Sequence, residues 1–218
     1  MTERIMIVVG AGSSLRFGSD KLMTPIAGLP LIAHTVAAVR PCADRCILVC
    51  RQDQIPALRD LRLEVDLVPG GPSRTASEMA GLSAIGGPAH LIGIHDGARP
   101  LVQPELIETL YQTAARVGGA IPVTNPAVAL VRRADLTPID GVVFAQTPQV
   151  FRGEPLLAAY MQAARVEYEG HDTAEIVQRF GDIEIEGVPG DPGNLKVTHP
   201  ADLDVVRGRL ATSRNGPR

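Results

Sequence analysis

The chain has 218 residues, 45% of them apolar, and its 21 basic and 24 acidic side chains give a formal charge of −3. That length suits one sizeable domain, or one domain with an appendage, and the slightly acidic balance argues against the clustered basic face of a nucleic-acid binder. With no Trp, three Tyr and four Phe, platforms for stacking a nucleic-acid polymer are scarce, so a single nucleotide is the only nucleic-acid ligand left open.

The first residues lack the pattern of a signal peptide. No apolar run is long enough to span a bilayer, so a cytoplasmic protein without a membrane partner is expected. Residues 5–9, Ile-Met-Ile-Val-Val, read as a buried strand that runs straight into Gly10-Ala11-Gly12-Ser13-Ser14-Leu15-Arg16 and then Lys21. Small residues let backbone N–H groups approach an anion, and two cations follow within reach of it. The loop lacks the third glycine of a dinucleotide fingerprint, Leu15 standing in its place, and lacks the Gly-Lys-Ser/Thr of a Walker A loop. Its cations suit a triphosphate whose leaving pyrophosphate must be neutralised. Taken alone, the same residues suit a structural turn with solvated cations equally well.

A helix is predicted over 30–40 and a strand over 45–50. Cys42, Cys46 and Cys50 are an odd set, which argues against a disulfide framework. Their four-residue spacing would suit a metal site on a helix, but 46–50 reads as a strand with no His nearby, so buried free thiols are expected. A helix over 55–61 and a strand over 63–68 lead to the second glycine loop, Gly70-Gly71-Pro72-Ser73-Arg74-Thr75-Ala76-Ser77. Its glycines permit close approach of a flat base. Ser73 or Thr75 can cap the helix predicted over 73–85, and Arg74 and Ser77 lie in its first turn, free to reach a nucleotide. A plain helix cap accounts for this stretch as well.

The strand at 91–95 feeds a third loop, Asp96-Gly97-Ala98-Arg99. Asp96 can orient a sugar hydroxyl or a metal, and Arg99 can hold a phosphate. A salt-bridged turn is the alternative, and His95 reads as structural. A helix over 104–117 and a strand over 119–123 follow. Within 127–147, residues 128–133 and 141–145 read as two strands joined by a turn over 135–141, a hairpin arm that leaves the core. An isolated ribbon is marginal in water, so the arm packs either on a second subunit or on its own domain. Helices over 153–165 and 173–180, a strand over 183–188, a helix over 200–211 and a disordered tail over 212–218 complete the chain.

Strands alternating with helices of about three turns indicate right-handed βαβ units. The expected fold is α/β, a Rossmann-like and mostly parallel sheet with helices on both faces. One domain over 1–218 is expected, with its chemistry just after Val9, Val68 and Ile94, at the carboxyl ends of the strands.

These three loops, together with Thr147-Pro148-Gln149-Val150-Phe151, His171-Asp172-Thr173-Ala174 and Asn194-Leu195-Lys196-Val197-Thr198, resemble the 2-C-methyl-D-erythritol 4-phosphate cytidylyltransferase family over nearly the whole chain. Ribitol 5-phosphate cytidylyltransferases are similar too. The resemblance implies a nucleotidyltransferase fold of the GT-A type and a reaction in which a polyol phosphate attacks CTP with Mg²⁺, releasing pyrophosphate. It implies that Ala11 and Gly12 hold the triphosphate, that Arg16 and Lys21 neutralise it, and that Gly70, Gly71 and Ser77 read the base. Arg74 would support that loop, Gly97 would lie near the ribose, and Asp96, Arg99 and Lys196 would hold the acceptor. Lys196 would also face the α-phosphate opposite Lys21, no residue is assigned as a metal ligand, and 127–147 would be the arm of a homodimer.

The chain departs from the family's pattern at Ser14 for Gly, at Asp20 for the Pro before Lys21, and at Asn125-Pro126-Ala127-Val128 on the arm. The family's Arg before Thr-Pro-Gln falls near Ile139 or Asp140; both missing arm residues serve the acceptor's phosphate in the family, and Arg132 or Arg133 is the candidate substitute. Residues 17–22 also resemble molybdenum-cofactor nucleotidyltransferases. Another alcohol-phosphate acceptor, a molybdopterin-type acceptor and a non-catalytic nucleotide-binding paralogue therefore stand as rivals. A dinucleotide oxidoreductase ranks last, because no acidic residue is well placed after the second strand.

Overall fold

The computed structural model describes residues 3–12, 17, 20–87 and 90–214; Ser14 and Arg16, and with them one proposed triphosphate cation, lie outside the described residues. In chain order the strands and α-helices are β1 (Arg4–Val9), β2 (Pro25–Ile26), β3 (Leu29–Pro30), α1 (Leu31–Val39), β4 (Arg45–Cys50), α2 (Ile55–Asp60), β5 (Asp66–Pro69) and α3 (Arg74–Ser83). They continue as β6 (Leu91–Asp96), α4 (Pro104–Val117), β7 (Gly118–Thr124), β8 (Phe144–Ala145), β9 (Gln149–Arg152), α5 (Gly153–Arg165), α6 (Thr173–Phe180), β10 (Glu184–Pro189) and α7 (Asp202–Arg214).

Eight strands form one sheet in the order β10-β7-β9-β6-β1-β4-β5, with β8 added to β7. β1 is parallel to both β4 and β6, and β4 is parallel to β5. β9 runs antiparallel between β6 and β7. The strand period of two sorts β1 cleanly. Met6 and Val8 face a core built with α1, α4 and α7, whereas Ile5 and Ile7 face one built with α3, α5 and α6. Each such fully buried side chain contributes about 1.5–3 kcal/mol relative to exposure. The helices on both faces explain why β1, β4 and β6 read as unbroken apolar runs.

Several expectations need correction. The strand expected from residue 63 begins at Asp66, because Arg62 and Glu64 both adopt left-handed backbone, at φ +50° and +53°. The β2–β3 hairpin and β9 were not expected; each is short, and β9 follows Pro148 directly. Residues 128–133 do not pair with 141–145. The chain reverses earlier, where Arg132 N donates to Thr137 O at 2.8 Å and Ile139 N to Leu130 O at 2.9 Å, while Phe144–Ala145 pairs with β7. Asp135 Oδ1 accepts from Thr137 N, an Asx turn that sets this tighter reversal. The segment expected to be disordered from residue 212 continues α7 to Arg214, and only 215–218 lie outside the described residues.

The cysteines are free thiols, as expected, with Cys46 and Cys50 buried. Burial pushes the thiol of Cys46 up to about 12 and that of Cys50 to about 11. Among the described residues no helix is long and apolar enough to cross a membrane.

Candidate active site

Four neighbouring strands end together, β6, β1, β4 and β5. Three of the loops that leave them begin with a glycine that extends the sheet ladder by one bond. Gly10 N donates to Val49 O at 2.7 Å, Gly70 N to Cys50 O at 2.8 Å, and Gly97 N to Val9 O at 2.9 Å. Glycine is required at two of these positions. A Cβ on Gly70 would stand 2.2 Å from that of Ala11, and one on Gly97 would stand 2.6 Å from Ile32 Cδ1. The first and second loops are thus drawn closer to each other, and the third closer to α1, than side chains allow.

Above them lies a cavity of about 730 Å³. Ala11, Gly12 and Lys21 line it from the first loop, and Gly70, Gly71, Arg74 and Ser77 from the second. Asp96 and Gly97 line it from the third, and Lys196 enters from the segment before α7. Every proposed site residue that is described therefore converges here except Arg99, which lies behind Asp96.

Asp96 is the electrostatic centre. Its carboxylate is 2.7 Å from Arg74 Nη1, 2.8 Å from Lys196 Nζ and 3.3 Å from Arg99 Nε. Burial works against its charge, but Arg74, Lys196 and Arg99 outweigh burial and hold its pKa well below the usual carboxylate range. Arg74 is in turn gripped from behind, with Nε 2.9 Å from Glu78 Oε1. Burial disfavours its charge too, yet Asp96 and Glu78 keep its pKa above the ordinary arginine value. Glu78 is satisfied by Tyr160, whose hydroxyl donates at 2.5 Å, and by Thr173 at 3.2 Å, while burial pushes its pKa up.

Arg74 and Ser77 are therefore not free to reach out, contrary to expectation. Arg74 is clamped between two carboxylates. Ser77 is 3% exposed; its Oγ donates to Ser73 O at 2.8 Å and accepts from Gly71 N at 3.2 Å, so it shapes the glycine turn. Ser73, not Thr75, caps α3, accepting from Ala76 N at 3.0 Å.

Lys21 Nζ donates to Val197 O at 2.9 Å, which places its ammonium beside the backbone that carries Lys196. Arg99 Nη1 donates to Asn194 O at 2.7 Å and braces the same segment. His95 is structural, as expected. Asp96 N donates to Thr147 Oγ1, the Thr147 hydroxyl donates to His95 Nδ1, and Nε2 then carries the proton that bonds Arg99 O. Burial holds the His95 pKa down to about 4, so it is neutral at pH 7.

The other motifs are bracing. Gln149 Oε1 accepts from Ala174 N at 2.9 Å and its Nε2 donates to Asp172 Oδ2 at 3.0 Å, tying β9 to the start of α6. Lining residues outside the motifs include Arg51 and Gln52. Arg51 and Gln52 follow the end of β4, the one strand of the four whose following segment carries no glycine.

Asp96 is the sole carboxylate among the described lining residues. No cluster of three or more His, Cys, Asp or Glu that could hold a metal occurs among the described residues. This donor set fits a Mg²⁺ that arrives on a triphosphate, since Mg²⁺ is commonly held by one or two carboxylates plus substrate phosphates. It does not fit a resident all-protein metal cage.

The model of the 2-C-methyl-D-erythritol 4-phosphate cytidylyltransferase family matches residues 4–210. A Cereibacter sphaeroides protein of that name is 38% identical, over 94% of this chain and 96% of its own length. A Bacillus licheniformis protein of the same name is 32% identical, over 98% of this chain and 97% of its own. Among solved structures, the 4-diphosphocytidyl-2C-methyl-D-erythritol synthase of Anaerococcus prevotii superposes with a TM-score of 0.83 at 26% identity, covering 96% of this chain and 99% of that one. The 2-C-methyl-D-erythritol 4-phosphate cytidylyltransferase of Thermus thermophilus gives 0.79 at 26% identity, covering 94% and 98%.

Proposed function

The chain belongs to the 2-C-methyl-D-erythritol 4-phosphate cytidylyltransferase family and transfers a cytidylyl group from CTP to 2-C-methyl-D-erythritol 4-phosphate; we propose that the two lysines of the cavity, Lys21 and Lys196, carry the transfer. The observation behind this reading is that Lys21, 176 residues away in sequence, bonds the carbonyl next to Lys196. Both ammonium groups thus serve one cavity.

The acceptor's phosphate oxygen attacks the α-phosphorus, a new P–O bond forms, and the bond to the bridging oxygen breaks as pyrophosphate leaves with the electron pair. The nucleophile is already an anion, so the protein's task is alignment and charge neutralisation. Ala11 and Gly12 present backbone to the triphosphate beside Lys21. Arg16 is proposed as a further cation there. Gly70 and Gly71 receive the base, with Ser77 and Arg74 holding their loop, and Gly97 lies near the ribose. Asp96 and Lys196 receive the acceptor, with Arg99 holding Asp96 and the Lys196 segment in place. Mg²⁺ would be held by the phosphates and Asp96, and would supply further neutralisation of charge on the triphosphate.

We assign the protein to the cytoplasm and 1–218 to one catalytic domain. Pyrophosphate release should be fastest with CTP and 2-C-methyl-D-erythritol 4-phosphate. Faster turnover with ribitol 5-phosphate would move the acceptor assignment.

The arm is proposed to form a homodimer. Val128 is 73% exposed, Leu136 70% and Phe144 50%, all within one segment of the chain. Exposed apolar side chains gathered on one segment are what a second subunit would cover. Light scattering at micromolar concentration should give twice the chain mass, and Leu136→Asp should give the monomer. A monomeric parent protein would overturn this.

A further inference from the structure

We propose that Asp20 is a positioning residue for Lys21, acting through Arg51 and Gln54 to dock the exit of the glycine-serine loop onto the loop after β4. The inference rests on the reading of Lys21 as a triphosphate cation. Asp20 is the residue that stands where the family pattern has proline, and the structure gives its carboxylate a partner set of its own.

Asp20 Oδ2 accepts from Gln54 Nε2 at 2.7 Å and lies 3.0 Å from Arg51 Nη2. Both partners are themselves fixed. Gln54 is 5% exposed, and its Oε1 accepts from Arg51 N at 3.0 Å. The Arg51 guanidinium is held in a fork by Asp53, with Nε to Oδ1 at 3.0 Å and Nη2 to Oδ2 at 2.9 Å. The receiving groups thus have partners besides Asp20.

On the other side, Asp20 caps the turn that carries Lys21. Its backbone carbonyl accepts from Met23 N at 3.2 Å and from Thr24 Oγ1 at 3.2 Å, at the start of the 3-10 turn Lys21–Met23. Lys21 then reaches Val197 O at 2.9 Å. Asp20 and Lys21 are therefore tied to opposite edges of the cavity, Asp20 to the β4 side and Lys21 to the Lys196 side. A proline would stiffen this point through its ring; aspartate stiffens it by docking. Two donors also offset a carboxylate that would otherwise repel an incoming triphosphate.

A partly exposed ion pair of this kind adds little to stability, so its effect on folding and its effect on positioning separate. Asp20→Ala should raise the KM for CTP on the order of 10-fold, since small misplacements of charged groups weaken alignment sharply. The KM for the acceptor and the melting temperature should barely move. Asp20→Asn, which keeps the shape, should lie between. Arg51→Ala should raise the KM for CTP less, and the Asp20→Ala/Arg51→Ala double variant should be no worse than Asp20→Ala alone.

An unchanged KM for CTP in Asp20→Ala would overturn the proposal. So would losses that multiply in the double variant, because Arg51 would then meet the nucleotide on its own account. A lower melting temperature with only the active fraction reduced would mark a merely structural role and would also overturn it. Lys21→Ala, measured alongside, keeps the two levels apart. If it leaves the KM for CTP and kcat unchanged, the reading of Lys21 fails; if it impairs them and Asp20→Ala does not, only the positioning role fails.

Discussion

Lys196→Ala is expected to lower kcat for cytidylyl transfer by about 10²–10³-fold, the cost of removing one preorganised stabiliser of transition-state charge, while the KM for CTP changes only a few-fold. A phosphate anion attacking a triphosphate brings negative charge onto negative charge. No Ser-His-Asp or Cys-His constellation occurs among the described lining residues, and His95 is buried, neutral and engaged with Thr147 and Arg99. Apart from Asp96, the charged groups among the described lining residues are the cations Lys21, Arg51, Arg74 and Lys196. Lys196 is half-exposed, 2.8 Å from Asp96, and lines the cavity. An interaction gained mainly in the transition state lowers kcat and kcat/KM together when it is removed. Lys21→Ala should differ, raising the KM for CTP as well, because its partner would be the triphosphate in the ground state too. A Lys196→Ala enzyme within about threefold of the parent kcat would place the charge stabilisation elsewhere.

Asp96→Asn is expected to be the most damaging substitution for stability. Three cations converge on this one buried carboxylate. Removing one partner of a buried ion pair typically costs about 3–5 kcal/mol because the other is left uncompensated, and for a chain of this size that lowers Tm by on the order of 10 °C. The pH dependence has a definite sign. The folded-state pKa of Asp96 lies well below its value of about 3.9 in an unfolded chain, so its stabilisation is fully present above that value and is lost only as pH falls through the lower folded pKa. The gap in stability between parent and variant should persist at pH 4 and close only under stronger acid. Pyrophosphate should raise the Tm of the variant more than that of the parent, since an anion in the cavity replaces the missing charge. A variant as stable as the parent at pH 7 would show that Asp96 is not the hub described here.

Much of this arrangement is legible in the chain itself. β1, β4 and β6 are apolar runs of the right length between helices, and the rule that ligands sit beyond the carboxyl ends of parallel strands led to the three glycine loops. The lysine 196 residues along is found through its motif, since no local pattern links it to the first loop. Other features depend on tertiary context. β9 is only four residues long, follows Pro148 directly, and is a strand because β6 and β7 leave a gap between them. Ser77 and Arg74 are polar residues in a first helical turn, where exposure is the default; Glu78 and Asp96 turn Arg74 inward, and Ser73 O and Gly71 N hold Ser77. The arm's reversal hinges on the Asp135 Asx turn, which competes with a longer hairpin of similar composition. Arg51 carries no motif, and its place follows from the same strand-end rule applied to β4.

The central claim, that this cavity joins the α-phosphate of CTP to a polyol phosphate, is tested most directly by phosphorus NMR of the protein with CTP, Mg²⁺ and 2-C-methyl-D-erythritol 4-phosphate. Two coupled resonances of a new diphosphate diester, growing in step with free pyrophosphate, are the predicted result. CTP left intact, or CDP and orthophosphate in place of the diester, would contradict it.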